Sequence, residues 1–266
     1  MSRVIILAGG RGVRLRPFTA VFPKPLVPLG DKPILAILLE QLARQGFTDV
    51  TLALGHLSDL IRAYVSSQGA LLRRLSIEFV EEAEACGTAG PLANMERLDQ
   101  TFLVMNADVL TNMDYQELIR DHKQSGAALT IAAHAKREKV DLGVLQADEV
   151  GTLHGYVEKP VQEFEVSMGI YVYEPRALRF IEPNKYLDLP TLVQRLLKAG
   201  ERVHVHRNEA FWLDIGRPED YAHAQEVFSQ DPENFGFMRP FNENVCPLKT
   251  EEERNTGTDK APLSYA

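Results

Sequence analysis

Cysteine is scarce in this sequence, with only Cys86 and Cys246. They stand far apart, without metal-ligand spacing, so a structural disulfide or a zinc cluster is not expected and a reducing, cytoplasmic setting is. Long apolar runs are absent too. Nothing approaches the roughly 20 residues that span a bilayer, and the apolar segment Val4 to Ala8 is too short for a signal peptide, so no membrane partner is expected. Basic charge is in deficit, with 29 Lys and Arg against 37 Asp and Glu and a formal net charge of −8, which argues against a nucleic-acid partner. Internal repeats are also missing. Two familiar phosphate-binding signatures fail as well: Leu15 stands where a dinucleotide fingerprint wants its third glycine, and no Gly-Lys-Ser or Gly-Lys-Thr is present for a P-loop.

What is present starts at residue 4. VIILAGGRGVRLRPFTAVFPKPLVPLG joins an apolar strand to a glycine loop carrying arginines, and then to a lysine between two prolines. Gly9, Gly10 and Gly12 allow a tight turn that brings bare amides against an anion. Prolines fix φ, so Pro23 and Pro25 present Lys24 on a stiff arm. The first thirty residues hold five basic side chains (Arg3, Arg11, Arg14, Arg16, Lys24) and no acidic one, against the trend of the whole chain. A small polyanion fits this loop better than a macromolecule does.

Further on, the spacing of Ile34, Leu35, Leu38 and Leu42 predicts a helix over Lys32 to Gln45, with Gly46 after its end. Strands are expected at Val50 to Leu54, Ser76 to Val80, Phe102 to Asn106 and Ala128 to Ala133, alternating with helices at Leu57 to Ser67, Ala89 to Leu98 and Tyr115 to Lys123. Such alternation implies right-handed crossovers and a mostly parallel sheet covered on both faces. The later half reads as short strands (Gly143 to Gln146, Gly155 to Glu158, Val166 to Tyr173) extending the same sheet. Helices at Arg176 to Ile181, Leu189 to Lys198 and Pro218 to Phe228 and a strand at Val203 to His206 follow. One domain over residues 1–228 is expected. From 229 to 266 the composition turns to Asn, Pro, Glu, Thr and Gly, which predicts a polar, loosely docked tail.

Taken together, LAGGRGVRLRPFT and PKPLVPL resemble the start of the sugar-1-phosphate nucleotidyltransferases, or NDP-sugar pyrophosphorylases, whose pattern is LAGGxGTRLxPxT followed by PKP. Val13 departs from it, removing a hydroxyl and leaving the amide. The resemblance implies a Rossmann-like three-layer α/β/α fold with a mostly parallel mixed central sheet. It implies a nucleotide site at Leu7, Ala8, Gly9, Gly10, Gly12, Arg14, Lys24, Asn106 and Asp108. Asp108 in NADVL and Asp214 in FWLDIGRPEDY match the family's magnesium ligands, and Mg2+ on one or two carboxylates plus substrate phosphates is the habit of that ion. Glu158 and Lys159 match its EKP motif, where the lysine takes the sugar phosphate, while Gly143 and Gly169 match glycines of the sugar pocket. Ser167 replaces an asparagine often found before the latter. Gly87 and Thr88 open GTAGPL, a base-reading loop more like that of mannose-1-phosphate guanylyltransferases than of uridylyl or thymidylyl members. Trp212, the only tryptophan, is expected to pack.

The implied reaction is in-line attack of a sugar 1-phosphate oxygen on the α-phosphorus of a nucleoside triphosphate, giving an NDP-sugar and pyrophosphate. Arg14 and the loop amides would hold the leaving pyrophosphate, Lys24 would offset charge at the α-phosphate, and Lys159 would orient the nucleophile. Within the class, uridylyl or thymidylyl transfer to a hexose 1-phosphate competes with the GTP-dependent transfer to a mannose or heptose 1-phosphate that the loop favours. Outside it, the rival reading is a noncatalytic regulatory paralogue that binds an NDP-sugar. It is disfavoured by the persistence of Arg14, Lys24, Asp108, Lys159 and Asp214. A glycosyltransferase is disfavoured because no DxD follows the FLVMN strand. His204 and His206 share one face of a strand and read as solvated side chains. Whether the chain is a monomer or a homo-oligomer is left open.

Overall fold

The structure is a computed structural model and describes residues 3–82 and 85–235. The first half runs β1 (Val4–Ala8), β2 (Pro28–Leu29), β3 (Lys32–Pro33), α1 (Ile34–Arg44), β4 (Asp49–Leu54), α2 (Ser58–Ser67), α3 (Gly69–Leu72), β5 (Ser76–Glu81), β6 (Phe102–Asn106), β7 (Val109–Thr111) and α4 (Tyr115–Ser125). Then come β8 (Leu129–Lys139), β9 (Val144–Ala147), β10 (Leu153–Val157), β11 (Val161–Tyr173), α5 (Leu189–Lys198), β12 (Val203–Arg207), β13 (Trp212–Asp214) and α6 (Pro218–Gln230).

Seven strands form the central sheet in the order β12-β8-β11-β6-β1-β4-β5. All neighbours are parallel except β11, which runs antiparallel to both β6 and β8. Alternation along β1 explains the layering. Val4, Ile6 and Ala8 enter a core that includes Leu35, Leu38 and Leu42 of α1 and Val227 of α6, while Ile5 enters a second core with Leu192 and Leu196 of α5. Helix ends follow local chemistry: Asp114 caps α4 by accepting from the amides of Gln116 (2.8 Å) and Glu117 (3.1 Å), and Gly126 at φ 66° ends it.

Several expected elements differ. Ala89 to Leu98 is not an α-helix. Only a 3-10 stretch, Gly90–Asn94, forms, because the segment is fastened to residue 187 by amide bonds from Ala89 and Gly90. Arg176 to Ile181 is likewise a 3-10 stretch, Pro175–Phe180. The strands around 143–158 do not extend the central sheet; β9 and β10 pair only with each other. β11 is longer than expected and lies inside the sheet instead of at its margin, with a register shift between Ser167 and Tyr171. Its residues before Ile170 pair with β8 alone, beyond the carboxyl end of β6. β8 and β11 thereby make a two-stranded arm over the edge where β1 and β6 end.

Past residue 228, α6 continues to Gln230 and Phe235 is buried in the first core. The rest of the tail expected from 229, from residue 236 on and with Cys246 in it, lies outside the described residues. No helix among the described residues is long and apolar enough to cross a membrane.

Candidate active site

In open α/β sheets, ligands gather at the carboxyl ends of the strands. Here β1, β4, β5 and β6 end together around the glycine loop. Ala107 on the exit of β6 donates to the carbonyl of Leu7 at 3.2 Å, and His56 on the exit of β4 donates to that of Gly9 at 3.3 Å. Gly12 adopts φ 59°, and a Cβ there would meet Thr19 and Lys24 side-chain atoms at 3.0 and 3.1 Å, so a side chain is disfavoured both by the backbone conformation and by the crowding. Thr19 Oγ1 then donates to the Gly12 carbonyl at 2.7 Å, tying the proline-rich segment back to the loop. Val13, the departure from the family pattern, is exposed.

Lys24 is buried in a short 3-10 turn, and its Nζ donates to Asp108 Oδ2 at 2.5 Å. The other oxygen, Asp108 Oδ1, is buried without a partner. Asp214 reaches this place through backbone pairing. β13 lies antiparallel to β7 with Asp214 opposite Val109, and the Ile215 amide donates to the carbonyl of Asp108 at 3.0 Å. The turn after Asp214 is held by Asp220, whose Oδ2 accepts from the amides of Gly216 (3.2 Å) and Arg217 (2.8 Å). A Cβ on Gly216 would stand 3.2 Å from Asp214 Oδ2 and 3.4 Å from an Arg14 nitrogen, which brings Arg14 into the same group. Burial, and then the charge of Asp108, push the Asp214 carboxyl above its ordinary range, against the pull of Lys24 and Arg14. An orphaned carboxylate oxygen beside a second, charge-penalised carboxylate suits a divalent cation. Among the described residues no group of three His, Cys, Asp or Glu side chains is placed to hold a metal, so any cation here would complete its shell with ligand oxygens.

Two adjoining cavities open on this loop. The smaller, about 220 Å3, is lined by Ala8, Gly12, Arg14, Lys24 and Gly216. The larger, about 650 Å3, is lined by Gly9, Asn106, Gly87, Thr88, Glu82 and Tyr186 among others. Leu7, Gly10 and Asp108 belong to both. All of the residues expected to bind nucleotide therefore line one cavity or the other. Gly169, at φ 73°, lies against the Asn106 amide, where a Cβ would come within 2.6 Å of it.

Gly143, Glu158 and Lys159 are not brought to the cavities. They sit at and beyond the β9–β10 hairpin, at the far end of the arm from Gly169. The Tyr156 hydroxyl fills the space a Gly143 side chain would take and donates to Glu158 Oε2 at 3.0 Å. Lys159 turns the chain at φ 44°. Trp212 packs as expected, its Nε1 donating to the Met168 carbonyl at 2.8 Å. His206 is buried and so departs from the expected solvated pair, while His204 is half-buried; both bond Asp121 Oδ2, at 2.9 Å from His204 and 2.7 Å from His206.

Sequence reasoning missed several lining residues, Gly55, Glu82 and Tyr186 among them. Gly55 lacks a side chain because a Cβ would fall 2.7 Å from the Gly9 carbonyl oxygen, a need visible only once β1 and β4 are neighbours. Glu82 follows β5, and burial raises its carboxyl pKa against the effect of the Cys86 amide that donates to it at 3.2 Å. Tyr186 lies in an irregular segment with no motif.

Comparison with known proteins agrees with this geometry. Residues 3–231 match the nucleotidyl transferase family. Mannose-1-phosphate guanylyltransferase catalytic subunit beta of Danio rerio is 33% identical over 260 residues, covering 91% of this chain and 70% of that protein. Mannose-1-phosphate guanyltransferase of Candida albicans is 34% identical over 233 residues, covering 82% of this chain and 62% of its own length. Among solved structures, HddC from Yersinia pseudotuberculosis, complexed with GMP-PN, superposes with a TM-score of 0.66 at 28% identity, covering 86% of this chain and all of that one. A UDP-glucose pyrophosphorylase complexed with UDP-glucose shares the fold at a TM-score of 0.63 and 17% identity, over 86% of this chain and 99% of that one. With its three-layer fold, its glycine loop and its lysine–aspartate pair at the strand ends, the chain belongs to the nucleotidyl transferase family.

Proposed function

We propose that the protein transfers a guanylyl group from GTP to a sugar 1-phosphate, mannose 1-phosphate first among them, releasing pyrophosphate. The observation that carries the reading is the convergence of Arg14, Lys24 and Asp108 on a small cavity that opens from the glycine loop and adjoins a larger one, with Asp214 beside it next to Gly216 and Arg14. That layout suits a triphosphate in the first and a nucleoside in the second. The chain spans 61–70% of the length of the curated relatives it matches, so activity and substrate are proposals for it.

Chemically, the site needs positioning and charge compensation and no protein nucleophile. An oxygen of the sugar 1-phosphate attacks the α-phosphorus in line and the bond to the β-phosphate oxygen breaks, with its electron pair leaving on pyrophosphate. Lys24 stands where it would offset charge growing on the α-phosphate. Arg14 and the amides of the glycine loop would steady the leaving pyrophosphate. Asp108 and Asp214 would hold Mg2+, which when bound neutralises phosphate charge. Glu158 and Lys159 are proposed for the sugar phosphate on their match to the EKP motif, a role that requires the β9–β10 hairpin to approach the cavities.

Guanine is favoured by Glu82. The base edge of guanine presents two adjacent donors, N1–H and the 2-amino group, and a carboxylate in the nucleoside cavity accepts both. Uracil and thymine present one donor flanked by two carbonyl acceptors, which a carboxylate repels. The relatives named as guanylyltransferases agree with this. The test is pyrophosphate release with Mg2+ and each of the four nucleoside triphosphates against a panel of hexose and heptose 1-phosphates. GTP with mannose 1-phosphate should lead, and silence across every pair would return the chain to the noncatalytic reading.

A further inference from the structure

The segment between residue 182 and α5 takes no part in the chemistry above, yet it is held closely to the nucleotide site. Asn184 turns the chain at φ 58°. The Leu187 amide donates to the Cys86 carbonyl at 2.9 Å, and the Leu187 carbonyl accepts from both Ala89 and Gly90 at 3.0 Å. Thr88 Oγ1 accepts from the Leu189 amide at 2.8 Å. Two glycines exist for this contact. A Cβ on Gly87, itself at φ 81°, would fall 2.4 Å from the Leu187 carbonyl oxygen, and one on Gly90 would fall 2.8 Å from that of Lys185. The 86–90 loop and the 184–188 strap are therefore one backbone unit.

That unit carries a single large ring to the cavity. Tyr186 is 69% exposed although the backbone on its carboxyl side is fixed and Leu187 beside it is buried. It lines the 650 Å3 cavity next to Gly87 and Thr88, and it is the one phenyl-bearing side chain among the lining residues described. A tyrosine ring offers broad, rigid contact area at small conformational cost. An exposed ring on a clamped strap, beside a cavity proposed for a nucleoside, is placed to stack on a flat ligand.

We propose that Tyr186 stacks on the face of the nucleobase and so sets nucleotide affinity. This rests on the reading of the larger cavity as the nucleoside site. Every base has a π face, so the contact is indifferent to which base is bound, and discrimination falls to groups that meet the base edge, such as Glu82. The 184–188 strap then acts as a bracket for the base, and Gly87 and Gly90 let the bracket close against the loop.

Calorimetric titration of the full chain with Mg2+ tests this, using GTP, ATP, UTP and inorganic tripolyphosphate on wild type and on Tyr186→Ala, Tyr186→Leu, Tyr186→Phe and Tyr186→Trp. Loss of one base–aromatic stack should weaken each bound nucleotide about 5- to 150-fold in Tyr186→Ala. Tyr186→Leu should follow it, Tyr186→Phe and Tyr186→Trp should stay close to wild type, and tripolyphosphate should bind all five proteins alike. Unchanged nucleotide affinity in Tyr186→Ala, or full affinity in Tyr186→Leu, overturns the stacking. Equal weakening of tripolyphosphate would show that the substitution displaced the strap and would also overturn it. A wild-type chain that binds tripolyphosphate but no nucleotide instead removes the nucleoside cavity itself, a result distinct from the others.

Discussion

Lys24 Nζ lies 2.5 Å from Asp108 Oδ2, and the two side chains are mostly shielded from solvent, at 10% and 24% exposure. One comes from a proline-fixed turn after the glycine loop and the other from the exit of β6. In the resting protein each partner spares the other an unpaired charge, while Asp108 Oδ1 is left without one. With substrate bound, the lysine would have phosphate oxygens to turn to and the aspartate a cation. Removing either partner should therefore damage catalysis and cost stability as well, because it strands the remaining charge. Lys24→Ala and Asp108→Ala are each expected to lose about 100- to 1,000-fold in turnover. Pyrophosphate release followed alongside a thermal melt checks this. Near-normal turnover in a folded variant would remove the residue from the chemistry.

Gly55→Ala probes the support of the glycine loop without touching a charged group. Its Cβ would press on the Gly9 carbonyl from 2.7 Å, so β1 and β4 cannot keep their present exits. Displacing the loop amides proposed to hold the phosphates by even a fraction of an ångström should lower kcat/KM by up to about 100-fold. Circular dichroism should show the fold retained. Wild-type kinetics in Gly55→Ala would mean that the loop is not positioned by this contact.

Lys159→Ala separates the two substrates. Lys159 lines neither cavity, so nucleotide affinity measured by calorimetry should be unchanged. The role proposed for it predicts a raised KM for the sugar 1-phosphate. An unchanged KM would confine the sugar site to the cavities and the residues around Gly169.

His122 supplies a pH dependence that is independent of activity. It is buried between Thr130 Oγ1 at 2.7 Å and Glu174 Oε1 at 3.2 Å, and burial holds its pKa below 6.5 against the opposing pull of Glu174. The unfolded chain binds the proton first. Stability from this group is therefore complete above the ordinary histidine value of 6.5 and is lost as pH falls below it toward the depressed folded value. Urea unfolding from pH 7.5 down to about 5 should show that decline, and His122→Gln, which cannot titrate, should flatten it. Equal slopes in the two proteins would contradict the assignment.

How much of this was readable in advance depended on how local each feature is. The glycine loop, Lys24 between its prolines and Asp108 after an apolar strand are contiguous patterns, and all three meet at one place. Asp214 was readable through its motif, but its route to Asp108 was not, since β7 and β13 are three-residue strands far apart in the chain and neither has a periodicity to detect. Gly55 escaped notice because its need for a bare backbone comes from Gly9 and not from its own φ. The arm of β8 and β11 was cut short because residues 161–165 are exposed throughout and lack the in–out alternation that marks a half-buried strand. The helix expected over Ala89 to Leu98 was overridden by tertiary bonds to the strap that carries Tyr186.

The central claim is direct transfer of the α-phosphorus from GTP to a sugar phosphate. Purified protein, Mg2+ and mannose 1-phosphate incubated with GTP labelled at the α-phosphorus should place the label in a GDP-sugar and leave the released pyrophosphate unlabelled. Label recovered in GMP, or remaining in GTP while the same protein consumes another nucleoside triphosphate, would contradict the account.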